Sequence, residues 1–311
     1  IQGPWISLFY FLGFAGASLF FVNATPFLMA VSGKQERSHV FAVLATVMPL
    51  AAFAGSLCGG LLPGLTGYLL GVTDADPAAY RYPLMFAGTL FLLTVPLVLA
   101  THHGTTHKRD GEDTVNPLQG MRDAPLGTIT SVAAVMFLAS IGMGITMSFF
   151  NVYLDDGLDV ATALIGTVTA TTQLVSAFAA VLMPVVIARF GHVGGFQLGR
   201  LVMAAGMVPM ALVPSLHVAA LAMLLITAAS SISQQIFTIY SQSAISTRWR
   251  TLMSGVVNTT MGCGWAITAW GGGLIIEHFG YDKVFLTGAA TTVISVAVFA
   301  LVARRAPEPT R

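Results

Sequence analysis

Amides and hydroxyls at helical spacing are the side chains in this sequence best placed to do chemistry. Gly144, Ser148, Asn151 and Asp155 form one such set, and Thr169, Gln173 and Ser176 a second. Ser231, Gln234, Gln235, Thr238 and Gln242 form a third, and Ser254, Asn258, Met261, Trp265 and Thr268 a fourth. Steps of three and four residues put each set on one face of a helix. Neutral polar groups of this kind do not transfer protons or attack bonds unaided. They hold a solute, or a neighbouring helix, by hydrogen bonds. In lipid a polar face is costly, so these faces should look into the protein or into a wet cavity.

Other chemistries find little support. Cys58 and Cys263 lie far apart in apolar runs and read as small buried hydrophobes. His102, His103 and His107 cluster in a polar stretch with no carboxylate or thiol spacing to complete a metal site, so a solvated linker is expected there. No Walker loop, zinc-protease helix or nucleophile elbow is present. No cofactor or metal is expected, and no enzymatic activity. Asp155 and Asp156 read as a solvated helix end. No Asp, Glu, Lys or Arg is expected deep within a helix, which argues against an intramembrane proton relay in this stretch. Met136, Phe137, Met143, Met147, Phe149 and Phe150 crowd one segment. They suit an adaptable lipophilic site, although packing and lipid contact are the commoner use of such residues.

The elements that carry these faces follow from composition. The 311 residues are 55% hydrophobic and 9% charged, with mean hydropathy +0.80. Soluble domains carry about 25% charge, so a soluble globule is excluded, and no basic stripe points to nucleic acid. Runs free of acidic and basic residues are each long enough for the ~20 apolar residues of a membrane span. The run over 201–247 divides at Pro214-Ser215-Leu216-His217. About nine transmembrane helices result, over 5–31, 40–71, 83–101, 129–154, 160–187, 195–213, 218–243, 252–276 and 284–303. If the first enters from outside, Lys34, Arg37, Lys108, Arg109, Arg122, Arg189, Arg200, Arg248, Arg250, Arg304, Arg305 and Arg311 all fall inside, and only Arg81 and Lys283 fall outside. The positive-inside rule selects that orientation, with the C-terminus cytoplasmic.

The chain also matches itself. Residues Arg37 to Tyr68 overlie Arg250 to Tyr281 without a gap, with Arg37/Arg250, Thr46/Thr259, Met48/Met261, Gly59/Gly272, Gly60/Gly273 and Tyr68/Tyr281 among the identities. An Arg at the cytoplasmic helix start and a Gly pair for close helix packing are the shared elements. Parallel repeats of this kind are frequent in transporters. The second copy holds six expected helices and the first only three. The chain is therefore expected to lack three N-terminal helices.

Several passages resemble the major facilitator superfamily. Ser32-Gly33-Lys34-Gln35-Glu36-Arg37 looks like the family's loop before its fifth helix. Gly55-Ser56-Leu57-Cys58-Gly59-Gly60 is similar to the Gly-Pro-x-x-Gly-Gly element of its antiporters, with Ser56 in place of the proline. Arg189-Phe190-Gly191-His192 resembles the Asp-Arg-x-Gly-Arg loop, with Ala188 for the acid. Arg250 to Gly255, Gly271-Gly272-Gly273 and Gly280-Tyr281 resemble the tenth-to-eleventh loop and the eleventh helix.

The resemblance implies an all-α, polytopic membrane protein of two helical bundles. Residues 1–101 would form a partial N-terminal bundle, 102–128 a cytoplasmic linker, 129–305 a six-helix C-terminal bundle and 306–311 a cytoplasmic tail. It implies secondary transport by alternating access. Asn151, Gln173, Gln234, Gln235, Asn258 and Trp265 would contact the solute, and Asn23 would line the cavity or pair across helices. Arg37, Arg189, Gly191 and Arg250 would serve the conformational loops. Gly55, Gly59, Gly60, Gly272 and Gly273 would pack helices. The expected activity is efflux of a neutral or lipophilic compound. The alternatives are import of a neutral nutrient such as a sugar or nucleoside, and a non-transporting membrane sensor or membrane enzyme. Expected partners are a small-molecule substrate, the lipid bilayer and a coupling proton or ion, with no nucleic acid and a monomeric state. A bacterial inner membrane is the expected location.

Overall fold

Segments this apolar must satisfy their backbone groups internally, and they do so as helices. The computed structural model describes residues 37–73, 76–100 and 124–304, with isolated positions between Trp5 and Ala17; for 37–46, 247 and 251 the backbone alone is described. Among the described residues there are eight α-helices and no strand. They are α1 (Arg37–Leu70), α2 (Pro77–Ala100), α3 (Leu126–Val152), α4 (Thr162–Val181), α5 (Met183–Leu212), α6 (Leu216–Ser243), α7 (Arg250–Phe279) and α8 (Tyr281–Ala303). A π-helical turn, Tyr153–Gly157, continues α3. These correspond in order to the last eight of the nine expected helices. The expected first helix, 5–31, lies almost wholly outside the described residues. Seven stretches are long and apolar enough to cross a membrane, the last being Leu252–Ala303, which holds both α7 and α8. The protein is an integral membrane protein.

Helix ends follow local chemistry. The break between α5 and α6 falls at residues 213–215, where Pro214 cannot continue a helical hydrogen-bond ladder. Gly280 separates α7 from α8 at φ 84, a conformation that L side chains avoid. One boundary differs from expectation. The helix expected over 160–187 breaks at Leu182, and residues 188–194, read from sequence as loop, lie within α5, which is kinked at Gly191 with φ 69 and ψ −179.

The chain forms two compact units, residues 1–48 with 86–115 and residues 49–85 with 116–311. In the first, the described part comprises the opening of α1 and the end of α2, whose Phe91 and Leu99 are exposed. The second contains the helical assembly that matters here. In it α5 packs on α6 and α8, α3 on α7 and α8, and α4 on α6. Close crossings use small residues, as membrane helices commonly do. A Cβ on Gly199 would come within 2.7 Å of Ser233 Cβ, and one on Gly206 within 2.7 Å of Ile226 Cγ1.

Two apolar clusters lie at different depths of this assembly. One gathers Ile145, Phe150, Met203, Met207, Ile226 and Phe285. The other gathers Val135, Met136, Phe196, Ile236, Phe237 and Phe299. On four helices the buried residues between the two clusters are polar or small, among them Ser140 on α3, Arg200 on α5, Ser230 and Ser233 on α6, and Thr292 and Ser295 on α8. The assembly thus carries a polar layer at mid-depth, and the candidate site borders it.

Candidate functional site

Three helices contribute to one cavity of about 380 Å³. Asn151 comes from the last turn of α3; Thr169, Thr172, Gln173 and Ser176 come from one face of α4; Thr227, Ser230, Ser231, Gln234 and Gln235 come from α6. Met143, Met147, Phe150 and Met223 add apolar lining. This size, with apolar surface and few convergent polar groups, fits a small-molecule site. Hydrogen bonds hold the wall together. Thr169 donates to Asn151 Oδ1 at 3.1 Å, joining α4 to α3. Ser231 donates to the Ser176 carbonyl at 3.0 Å, joining α6 to α4. The side chains of Gln173 and Gln235 make no hydrogen bond with the other described residues.

The structure therefore brings together four of the expected contact residues: Asn151, Gln173, Gln234 and Gln235. Asn258 and Trp265 do not line this cavity. Asn258 is exposed on α7, and Trp265 is half-buried there with its indole Nε1 unpartnered. Thr268, of the same stripe, donates to the Gly264 carbonyl at 2.8 Å and to the Ile141 carbonyl at 3.3 Å, so it packs α7 on α3. Asn23 lies outside the described residues.

The loop and packing candidates also have places. Arg37 begins α1, and its side chain is outside the description. Arg189 stacks over the Phe190 ring at 5.6 Å, next to the kink at Gly191. Arg250 opens α7 and donates from Nε to the Gln242 carbonyl at 3.1 Å, while Gln242 donates to Ser254 at 2.8 Å. Gly60 meets Gly166 of α4, where an added Cβ would lie 2.8 Å from the Gly166 Cα. Gly272 lies under the Phe149 ring, whereas Gly55, Gly59 and Gly273 have nothing within 4 Å of a would-be Cβ. Asp155 and Asp156 are exposed at the end of α3, and Asp156 accepts a 2.8 Å bond from the Tyr281 hydroxyl.

Arg200 corrects the sequence reading. It was expected on the cytoplasmic side, and no ionisable group was expected deep in a helix. In the structure Arg200 is 0% exposed within α5. At 1.5 Å per residue it lies about 13 Å along the helix from the Gly191 kink, near the centre of the stretch from that kink to Leu212. The expectation failed because 188–194 read as a loop, which set Arg200 only six residues into the helix expected over 195–213, whereas the chain is helical on both sides of the Gly191 kink. The guanidinium donates from Nη1 to the Ala139 carbonyl at 3.2 Å and from Nη2 to Gln234 Oε1 at 3.4 Å. It lies over the Phe196 ring at 5.1 Å. Its Nε has no partner. An Arg at a helix centre costs roughly 2.5–3.5 kcal/mol to insert, so its presence beside the cavity calls for a use. The available signal was the polar face itself, since Arg200 falls within the helix expected over 195–213.

Comparison with known proteins agrees with this architecture. The Major Facilitator Superfamily model matches residues 2–269 and 132–311. The fold is similar to that of a bacterial homologue of the human lysosomal transporter Spinster in an inward-facing, occupied conformation (16% identity, 91% of this chain and 74% of that one, TM-score 0.65). The inward-facing, unoccupied form of such a homologue gives 16% identity over 89% of this chain and 71% of that one, TM-score 0.60. A bacterial homologue of the iron transporter ferroportin, inward-facing, gives 15% identity, 88% and 65% coverage, and TM-score 0.62. At such identities the likeness concerns the fold alone. No curated protein matches the sequence.

Proposed function

The chain belongs to the Major Facilitator Superfamily, and on that premise we propose that it moves a small amphipathic solute by secondary active, alternating-access transport. The family makes it a membrane transporter. The cavity between α3, α4 and α6 is the observation that carries the finer reading: its lining combines amides and hydroxyls with methionines and Phe150. Such a surface takes a molecule with one polar end and one greasy end. Outward movement is the inferred direction, from the likeness of Gly55 to Gly60 to an antiporter element. The proposed setting is a bacterial inner membrane, with Lys34, Arg250 and the C-terminus on the cytoplasmic side. Residues 102–128 then link two bundles, and rocking of one against the other exposes the cavity to each side in turn.

Solute counterflow into proteoliposomes holding the purified protein tests this reading. Gln173→Ala and Gln235→Ala should each reduce exchange about tenfold, the equivalent of one lost hydrogen bond of ~1.4 kcal/mol. Both variants should keep the wild-type elution profile. Exchange at the wild-type rate in both would remove the cavity from the transport path.

A further inference from the structure

Among the described residues Arg200 is a cation without a counter-ion. Its hydrogen-bond acceptors are a peptide carbonyl and an amide oxygen, both neutral, and a ring face covers the guanidinium. The described carboxylates are Asp76, Asp155, Asp156, Asp159, Glu277 and Asp282, all at or beyond helix ends. The only ion pair among the described residues is Lys283 with Asp282. A fully buried charge next to a solute cavity, with one donor still unused, leaves positive potential that an anion entering that cavity would offset.

Gln234 connects the two. A guanidinium can only donate, so the amide end facing Arg200 must be the oxygen. Gln234 also lines the cavity. Its NH2 is thereby left as the end free to donate into that space, and the charge behind polarises it. Rotating the amide would set two donors against each other, so Arg200 holds the orientation.

We propose that the cavity selects amphipathic organic anions. The NH2 of Gln234 receives a carboxylate or like oxyanion, Arg200 acts behind it as a positioning residue, and the apolar part lies against Met143, Met147 and Phe150. This deepens the transport reading above and depends on it for the route, not for the binding.

The test uses the purified full-length protein with 4-phenylbutyrate and its neutral isostere 4-phenylbutyramide, each titrated by the rise in thermal midpoint. The wild type should bind the carboxylate at least about tenfold more tightly than the amide. Gln234→Glu supplies Arg200 with an internal counter-ion and should erase that preference without loss of fold. Arg200→Lys keeps the charge but not the fork, and should retain a reduced preference. A merely structural role for Arg200 would move stability and leave the anion-to-neutral ratio alone. Equal or tighter binding of the amide by wild type overturns the proposal. So does a preference that survives in Gln234→Glu, or binding of neither probe. Counterflow of labelled 4-phenylbutyrate is read separately: binding without exchange sinks the transport reading and leaves the anion site standing.

Discussion

At the scale of the residue, Arg200 and the side chains around it hold most of the functional content. The cavity amides can bond a solute, and among the described residues bonded to that lining Arg200 is the one that carries a charge. A charge without a charged partner is a poor stabiliser: replacing buried ions by apolar groups of similar volume is often neutral or stabilising. Arg200→Met should therefore unfold no earlier than the wild type on heating, while transport falls about tenfold or more. The Gln234 oxygen it releases borders the cavity and can take water instead. A clear drop in thermal midpoint with transport intact would show that Arg200 serves the fold. An expected neutral substrate followed from helices thought free of charge, and Arg200 removes that ground.

At the scale of the element, helix existence was legible and helix interiors less so. Uninterrupted apolar runs leave no alternative to helices, and Pro214 marked the break between α5 and α6. The break before α5 was misplaced to 188–194 because Arg189 and His192 look like loop residues, whereas the chain breaks at Leu182 and the kink is confined to Gly191. That one shift carried Arg200 from boundary to interior. At Gly191 the backbone has φ 69 and ψ −179, and a Cβ there would meet nothing within 4 Å. The cost of a side chain is thus purely conformational. Gly191→Ala should lower stability by about 1–3 kcal/mol, visible as an earlier thermal transition. An unchanged midpoint would mean that the kink relaxes freely. The stripes were also partly legible. Spacing correctly grouped Gln173 with Ser176 and Gln234 with Gln235, since one helix face needs only sequence. Which faces meet depends on tertiary packing, and periodicity says nothing of it. Asn258 and Trp265 lie outside this cavity, on the helix whose Thr268 bonds the Ile141 carbonyl of α3.

At the scale of the whole molecule, two apolar clusters with a polar layer between them give a bundle packed at both depths and hydrogen-bonded at its middle. Such a body can move as a unit while a site at its midplane stays formed, which suits rocking motion about a fixed site. The close meeting of Gly60 with Gly166, and the 2.9 Å bond between the Tyr80 and Thr162 hydroxyls, join α1 and α2 to α4 beside that site. Access to the cavity from each membrane face in turn is the claim on which the rest depends. It is tested most directly by replacing Cys58 and Cys263 with serine, introducing Gln173→Cys, and labelling with a membrane-impermeant thiol reagent applied to right-side-out and inside-out vesicles. The account predicts labelling from both faces, slowed by a transported solute. Labelling from one face only, in protein that still transports, would contradict it.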